Sequence, residues 1–148
     1  MSRTVSVNSG LRLAQKITVG RHALQADEPP ETGGGDAGPD AHELLLASLG
    51  SCTSITVRMY AQRKQWPVEG VHVRLSFLKV PTEELAESKS TMRERIEMEI
   101  SFDGDLSEEQ RSRLLEIAGR CPIHRLLSSP VEIRTKLLAP GVGSVDVR

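Results

Sequence analysis

Hydrophobic and polar residues alternate along six stretches of the chain, and this two-residue period is typical of half-buried β-strands. The two longest stretches follow each other across a polar connection, which predicts a hairpin with a long, mobile tip. The six predicted strands cover residues 4–7, 11–19, 21–25, 71–80, 93–102 and 131–138.

A different period marks residues 41–65, where apolar side chains recur every three or four positions and predict a helix. Asp40 is a suitable N-cap for this helix. Trp66-Pro67 ends it, because the residue before proline avoids helical backbone angles. The apolar arc is too wide to be covered from one direction. We therefore expect neighbours to pack on more than one side of this helix.

Two shorter helices are predicted in the C-terminal third of the chain. Ser107 and Gln110 fit a capping box that begins the first helix, and Gly119 ends it. Residues 122–127 predict the second helix, since proline is favoured at the first helical position.

The remaining segments are rich in glycine and proline. Residues 29–40 predict a flexible loop, because they are polar and rich in glycine. This loop has no lysine followed by serine or threonine, which a phosphate-binding loop requires. Residues 139–148 predict a flexible tail. A chain of 148 residues fits one domain spanning residues 1–148.

The composition narrows the class of protein. Hydrophobic residues make up 38% of the chain and charged residues 26%, as in soluble globular proteins. A net charge of −1 and an aromatic content of 3% argue against a nucleic-acid partner. The N-terminus lacks the apolar run of a signal peptide, and no stretch reaches membrane-spanning length. We expect a cytoplasmic protein with no membrane partner.

The only two cysteines both fall at predicted helices. Cys52 lies inside the long helix, and Cys121 precedes Pro122, which makes it a helix cap. The positive field of a helix start favours the thiolate form, and the cytoplasm disfavours a permanent disulfide. Thiol-dependent redox chemistry is the leading hypothesis. Ordinary packing of two buried cysteines is its alternative.

Metal binding is a weaker hypothesis. Cys121 and His124 have a spacing that metal ligands use, but two ligands are too few for a structural zinc site. His42 or Cys52 would have to complete the set. We therefore predict no metal and no cofactor.

A larger set of residues carries a family likeness. In this order and at this spacing they resemble the OsmC/Ohr family of organic hydroperoxide reductases, and more closely its OsmC-like branch. The likeness runs from about residue 21 to residue 138. The residues that carry it are Asp27-Glu-Pro29, Gly33-Gly34, Gly38-Pro39, Glu43-Leu-Leu-Leu-Ala47, Leu49-Gly50, Cys52-Thr53, Tyr60-Ala61, Arg63-Lys64 and Cys121-Pro122.

The resemblance implies an α+β fold in which two chains intertwine as a homodimer. The long cysteine-bearing helices then lie at the centre, and antiparallel sheets wrap around them. It also implies that Cys52 attacks the peroxide and that Cys121 resolves the resulting sulfenic acid as a disulfide. In the family an arginine assists the first cysteine. Arg12 matches it best by position, and Arg21 is the alternative.

The family's assisting glutamate is harder to match. It stands ten residues before the first cysteine, where this chain has His42, while Glu43 stands nine before. On a regular helix Glu43 faces away from Cys52, so it acts through a loosened helix start or not at all. We place His42 at the mouth of a substrate pocket. The apolar residues expected to line that pocket, unless they are only core packing, are Leu45, Leu49, Met59 and Ile123.

These points predict a peroxidase that reduces organic hydroperoxides to alcohols through Cys52 and Cys121. Its expected partners are a second copy of the chain, the hydroperoxide and a dithiol reductant such as a lipoylated protein. The alternative is a non-enzymatic dimer that binds or senses a small apolar or thiol-reactive ligand. The departure at His42 favours this alternative.

Overall fold

The computed structural model describes residues 3–81 and 92–138. It is an α+β fold with two antiparallel sheets and one long helix, which confirms the predicted fold class. The elements in chain order are β1 (Ser6–Ser9), β2 (Gln15–Val19), β3 (His22–Ala26), a 3-10 turn (Pro30–Thr32), α1 (Ala41–Lys64), β4 (Gly70–Pro81), β5 (Met92–Asp103), α2 (Glu108–Ala118) and α3 (Pro122–Leu127).

The N-terminal sheet has the order β1-β2-β3. Its second strand begins later than predicted, because a turn in which the Gly10 N–H donates to the Ala14 carbonyl at 2.7 Å occupies the expected start. The side chains of Val7, Ile17 and Leu24 form one row across the sheet. The outer two of these are exposed, so this row is an uncovered apolar surface.

β4 and β5 form the predicted hairpin, paired from Gly70↔Asp103 to Pro81↔Met92. The expected mobile tip, residues 82–91, lies outside the described residues. Apolar side chains alternate with polar ones along both strands, so the hairpin has one apolar and one polar face. The apolar face pairs Val71, Val73, Leu75 and Phe77 with Phe102, Ile100, Met98 and Ile96.

α1 lies against the apolar face of this hairpin. A methyl group added at Gly50 would come within 2.8 Å of Leu75 Cδ1, so the missing side chain permits the close approach of helix and strand. A capping box between Asp40 and Glu43 begins the helix, as the N-cap prediction requires. Gln65 ends it in the left-handed conformation, with φ of 55°.

α1 is fully buried along one stripe only. Its buried residues follow a single stripe, whereas Ile55 and Met59 on the opposite side are more than half exposed. Contrary to the sequence prediction, α1 is long and apolar enough to cross a membrane by length and composition alone. It packs against β4, α2 and α3, which is the arrangement of a core helix.

α2 closes the other end of the core. The predicted capping box of Ser107 and Gln110 is present, with both reciprocal hydrogen bonds formed. From this helix Leu114 packs, with no exposed surface, into the central cluster that contains Val57 and Phe102.

The predicted C-terminal strand is wrong for the single chain, since residues 131–138 lie outside any strand. A strand forms only where its backbone N–H and C=O groups find a neighbouring strand. Here the alternating apolar side chains stay exposed, with Ile133 at 85% and Leu137 at 98%. The tail predicted at 139–148 lies outside the described residues.

The core position of Leu114 gives a test of the packing. Replacing Leu114 by alanine should lower the free energy of unfolding by about 2–5 kcal/mol, because it leaves a cavity in a fully buried site. Leu115→Ala is the matched control. Its side chain is 57% exposed, and the loss should stay below about 1 kcal/mol. Urea unfolding measures both, and equal losses would contradict this placement of α2.

Candidate active site

α3 brings the two cysteines of the chain together. Cys121 is its N-cap, with extended backbone angles, and the Cys121 sulfur accepts a hydrogen bond from the His124 N–H at 3.2 Å. Pro122 follows at the first helical position, as predicted. The Cys121 side chain is completely buried.

Cys52 lies half-buried in the middle of α1, on the side that α3 covers. Its sulfur lies near the Ile123 N–H and the Cys121 side chain, close enough for both to act on its pKa. Both cysteines are free thiols. Successive N–H groups of the α3 first turn, from Ile123 and His124, are therefore directed at two different sulfur atoms.

The surroundings of Cys52 act on its ionisation in opposite directions. Burial is the largest effect and raises the pKa of the Cys52 thiol, and the neighbouring Cys121 raises it further. The Ile123 N–H and the Thr56 hydroxyl lower the pKa, but less. The net pKa is raised, whereas attack on a peroxide requires a thiolate.

A cavity of about 500 Å³ that opens to solvent lies between the first half of α1, the hairpin and α3, and neither cysteine is among its lining residues. Its polar lining comes from His42, Glu94, His124 and Ser128. The His42 ring also stacks at a tilt on Phe77, with 5.2 Å between ring centroids. The apolar lining residues are Leu45, Leu49, Phe77, Ile96, Met98 and Leu127.

His42, Leu45 and Leu49, which were assigned to substrate binding, thus line one cavity, whereas Met59 lies outside it and is exposed on α1. Ile123 is half-buried, and its backbone N–H lies near Cys52. Which ligand these residues contact stays a prediction.

The two candidate arginines lie in the N-terminal sheet region. Arg12 has a left-handed backbone, with φ of 59°, and its guanidinium donates to the Gly33 carbonyl at 3.0 Å. Arg21 is exposed in the turn between β2 and β3. In the single chain, Arg12 is therefore engaged with the glycine-rich loop, and its role at Cys52 stays a prediction.

Glu43 also has a local partner. Its carboxylate accepts the Asp40 N–H at 2.9 Å, which is one half of the capping box of α1. The start of α1 is thus a regular capped helix, not a loosened one. The catalytic role of Glu43 stays a prediction that requires this cap to open.

The glycine-rich loop is held by internal hydrogen bonds that its composition does not predict. The buried carboxylate of Asp27 accepts N–H groups from Glu28, Gly35 and Ala37. The Glu28 N–H contributes most to holding the pKa of Asp27 below its ordinary value, and Arg12 adds a charge effect. Only glycine fits at residue 34, where a methyl group would meet the Glu28 carbonyl oxygen at 1.7 Å.

Sequence reasoning missed two residues beside the sulfur pair. Thr53 is completely buried, and its hydroxyl lies 3.6 Å from Cys121 Sγ and 3.7 Å from Met98 Sδ. The helical period predicts that Thr53 is buried, and the strand alternation predicts the same for Met98. Neither pattern predicts that they lie near Cys121. Within residues 3–81 and 92–138, no group of three or more His, Cys, Asp or Glu side chains is arranged to hold a metal ion.

Comparison with known proteins identifies the family. A family model described as OsmC-like protein matches residues 33–136. The chain belongs to the OsmC-like family. No curated protein matches the sequence.

Solved structures share the fold of this OsmC-like chain at low identity. A Psychrobacter arcticus protein described as osmotic stress induced and detoxification response is 19% identical, with a TM-score of 0.67 over 85% of this chain and 88% of that one. The Legionella pneumophila organic hydroperoxide resistance protein OsmC is 19% identical, with a TM-score of 0.63 over 86% and 89%. Bacillus subtilis OhrB, another organic hydroperoxide resistance protein, is 16% identical, with a TM-score of 0.58 over 85% and 90%.

The raised pKa of Cys52 gives a pH prediction for this OsmC-like protein. Cys121→Ala removes a neighbour that raises this pKa, so the pKa should fall and Cys52 should react faster with iodoacetamide at neutral pH. The rate measured against pH should move to lower pH by comparison with the wild type. An unchanged profile would contradict the contact between the two side chains.

The raised pKa of Cys52 also predicts how the free energy of unfolding depends on pH. The folded chain holds the Cys52 proton more tightly than the unfolded chain does. This contribution is complete below the unfolded pKa of ~8.5 and is lost as pH rises through the folded value. Cys52→Ala should therefore flatten the fall of the unfolding free energy above that pH, as measured by urea unfolding in alkaline buffers.

Proposed function

We propose that the protein is a thiol-dependent peroxidase that reduces organic hydroperoxides to alcohols. The observation that carries this proposal is the proximity of two free cysteine side chains at the start of α3, a helix that also lines an open cavity through His124 and Leu127. The family supports the reaction class, because related structures bear the name of organic hydroperoxide resistance proteins.

The chemistry follows from the two sulfurs. The Cys52 thiolate attacks the outer oxygen of the hydroperoxide, the O–O bond breaks, and the alcohol leaves after taking up a proton. Cys52 is then a sulfenic acid, which is reversible while a thiol can reach it. Cys121 attacks it to form a disulfide and release water. An external dithiol, such as a lipoylated protein, returns both cysteines to thiols with two electrons.

The disulfide gives a direct test of this proposal. One equivalent of cumene hydroperoxide should produce a Cys52–Cys121 disulfide within one chain, and the protein mass should fall by two hydrogen atoms. Cys121→Ser should stop at sulfenic or sulfinic acid on Cys52, and Cys52→Ser should consume no peroxide. Dihydrolipoamide should restore the wild-type thiols and sustain turnover. Over-oxidation of wild-type Cys52 with Cys121 still free would exclude the resolving role.

A homodimer is the second part of the proposal. Three separate surfaces of the single chain expose apolar side chains that water disfavours. They lie on the N-terminal sheet, on the uncovered side of α1 and along residues 131–138. Intertwined pairing of two chains covers all three at once, and it offers residues 131–138 a strand partner. Such an interface buries roughly 2,000 Å² or more.

The dimer also answers the electrostatic problem at Cys52. A thiol with a raised pKa needs a nearby cation to ionise at neutral pH. Arg12 lies in the turn between β1 and β2, and the sheet that these strands form has an uncovered apolar face that is free to pack on a second chain. We propose that Arg12 of one copy assists Cys52 of the other.

Mixed dimers test this arrangement. Arg12→Ala and Cys52→Ser should each be inactive or nearly so as pure proteins. A mixture of the two should regain activity on dimer formation, because one site then combines an intact Cys52 with an intact Arg12 from the other chain. Arg21→Ala is the matched control, and as a pure protein it should keep its activity because Arg21 does not assist Cys52. Light scattering fixes the oligomeric state, and a folded monomer or a mixture without regained activity would reject the shared site.

A binding or sensing protein is the alternative, and the raised pKa of Cys52 is the observation that favours it. The same cavity then holds an apolar or thiol-reactive ligand without turnover. This alternative predicts that wild-type Cys52 reacts no faster with hydroperoxides than free cysteine does, even in the dimer. The proposed cytoplasmic location is shared by both functions.

A further inference from the structure

Thr53 carries a hydroxyl that is completely buried between sulfur atoms. Its Oγ1 lies 3.6 Å from Cys121 Sγ and 3.7 Å from Met98 Sδ. The Ser51 hydroxyl of the same helix behaves differently, since it donates to the Ala47 carbonyl four residues earlier. The Thr53 hydroxyl is thus directed away from the helix and into the cysteine site.

Packing alone does not account for this hydroxyl. A buried hydroxyl costs free energy unless it is well bonded, and sulfur is a weak acceptor. Valine has the same shape and fills the same face of the helix one turn later, at Val57, which is also completely buried. An effect on sulfur chemistry explains the hydroxyl better than its volume does.

The three groups differ in what they can donate. A thioether such as Met98 only accepts, a thiol donates and accepts, and a hydroxyl does both through one rotating proton. While Cys121 is a thiol, its S–H can donate to Thr53, and Thr53 can donate to Met98. Once Cys121 is ionised, it has no proton to donate and is the stronger acceptor. The Thr53 proton then turns to Cys121 without movement of the backbone.

We propose that Thr53 is a positioning residue for the resolving step, an inference that rests on the proposed function. Its hydroxyl and the His124 N–H, which lies 3.2 Å from the sulfur, together stabilise the Cys121 thiolate. The thiolate attacks the sulfur of the Cys52 sulfenic acid, the S–S bond forms, and the S–O bond breaks. The leaving hydroxide takes up the proton that Cys121 released and departs as water. The Cys121 sulfur is oxidised and the Cys52 sulfur is reduced.

Thr53→Val tests the hydroxyl at nearly constant shape. After one equivalent of cumene hydroperoxide, conversion of the sulfenic acid to the disulfide should be about tenfold slower, since a hydrogen bond to a charged group is lost. Its pH profile should move to higher pH. Thr53→Ser keeps the hydroxyl and should restore most of the rate. Ser51→Ala, which removes an exposed hydroxyl from the same helix, is the matched control.

A second measurement needs no peroxide. In Cys52→Ser protein, Cys121 is the sole thiol, and its thiolate can be followed by ultraviolet absorbance as pH rises. Adding Thr53→Val should move the half-point of this titration up by about one pH unit, and adding Thr53→Ser should move it little.

The two measurements separate two kinds of failure. If the wild type forms no sulfenic acid with any hydroperoxide, the proposed function is wrong, and the titration still decides the role of Thr53. If Thr53→Val leaves the Cys121 titration unchanged, or if Thr53→Val and Thr53→Ser slow disulfide formation equally, Thr53 is a packing residue and the inference is overturned.

Discussion

The contact between α3 and α1 is the interaction on which the candidate site depends. Cys52 and Cys121 are far apart in the sequence, and α3 is too short to be stable in isolation. Its position is fixed by the cap at Cys121 and by packing on α1. Once α3 is seated, both cysteine sulfurs, the buried threonine hydroxyl and one wall of the cavity come together.

The same contact creates an electrostatic conflict. Packing α3 over Cys52 removes water from the thiol and raises its pKa, while the N–H of Ile123 compensates only in part. The single chain therefore has the geometry of a reactive pair without the charge that would activate it. Its uncovered apolar surfaces lie on the elements that a second chain would have to meet. On the proposed function, activation of Cys52 and assembly of the dimer depend on the same contacts.

Local patterns in the sequence predicted much of the fold. The bounds of α3 agree with the prediction, because a proline at the first position and a capping side chain define a helix start within a few residues. The hairpin of β4 and β5 and the start of α2 were predicted for similar reasons. The side-chain network around Asp27 was not, since its bonds join residues up to ten positions apart within an irregular loop.

The remaining differences come from contacts that no local pattern encodes. Residues 131–138 have a strand pattern but no paired strand, because pairing needs an edge that the single chain does not bring to them. Thr53 reaches Met98 and Cys121 across 45 and 68 positions of sequence. The cysteine pair itself was predicted only through the family likeness, and its role as a pair stays a prediction.

The proline that begins α3 reduces the number of free backbone N–H groups at the start of this helix. A helix start offers several free N–H groups, but Pro122 has none, so the first two available are those of Ile123 and His124. Each is directed at one sulfur, and two donors serve two acceptors. Any other residue at position 122 would add a third donor and break this one-to-one match. Proline here acts by subtraction, since it leaves two free N–H donors at a helix start that lies against two sulfur atoms.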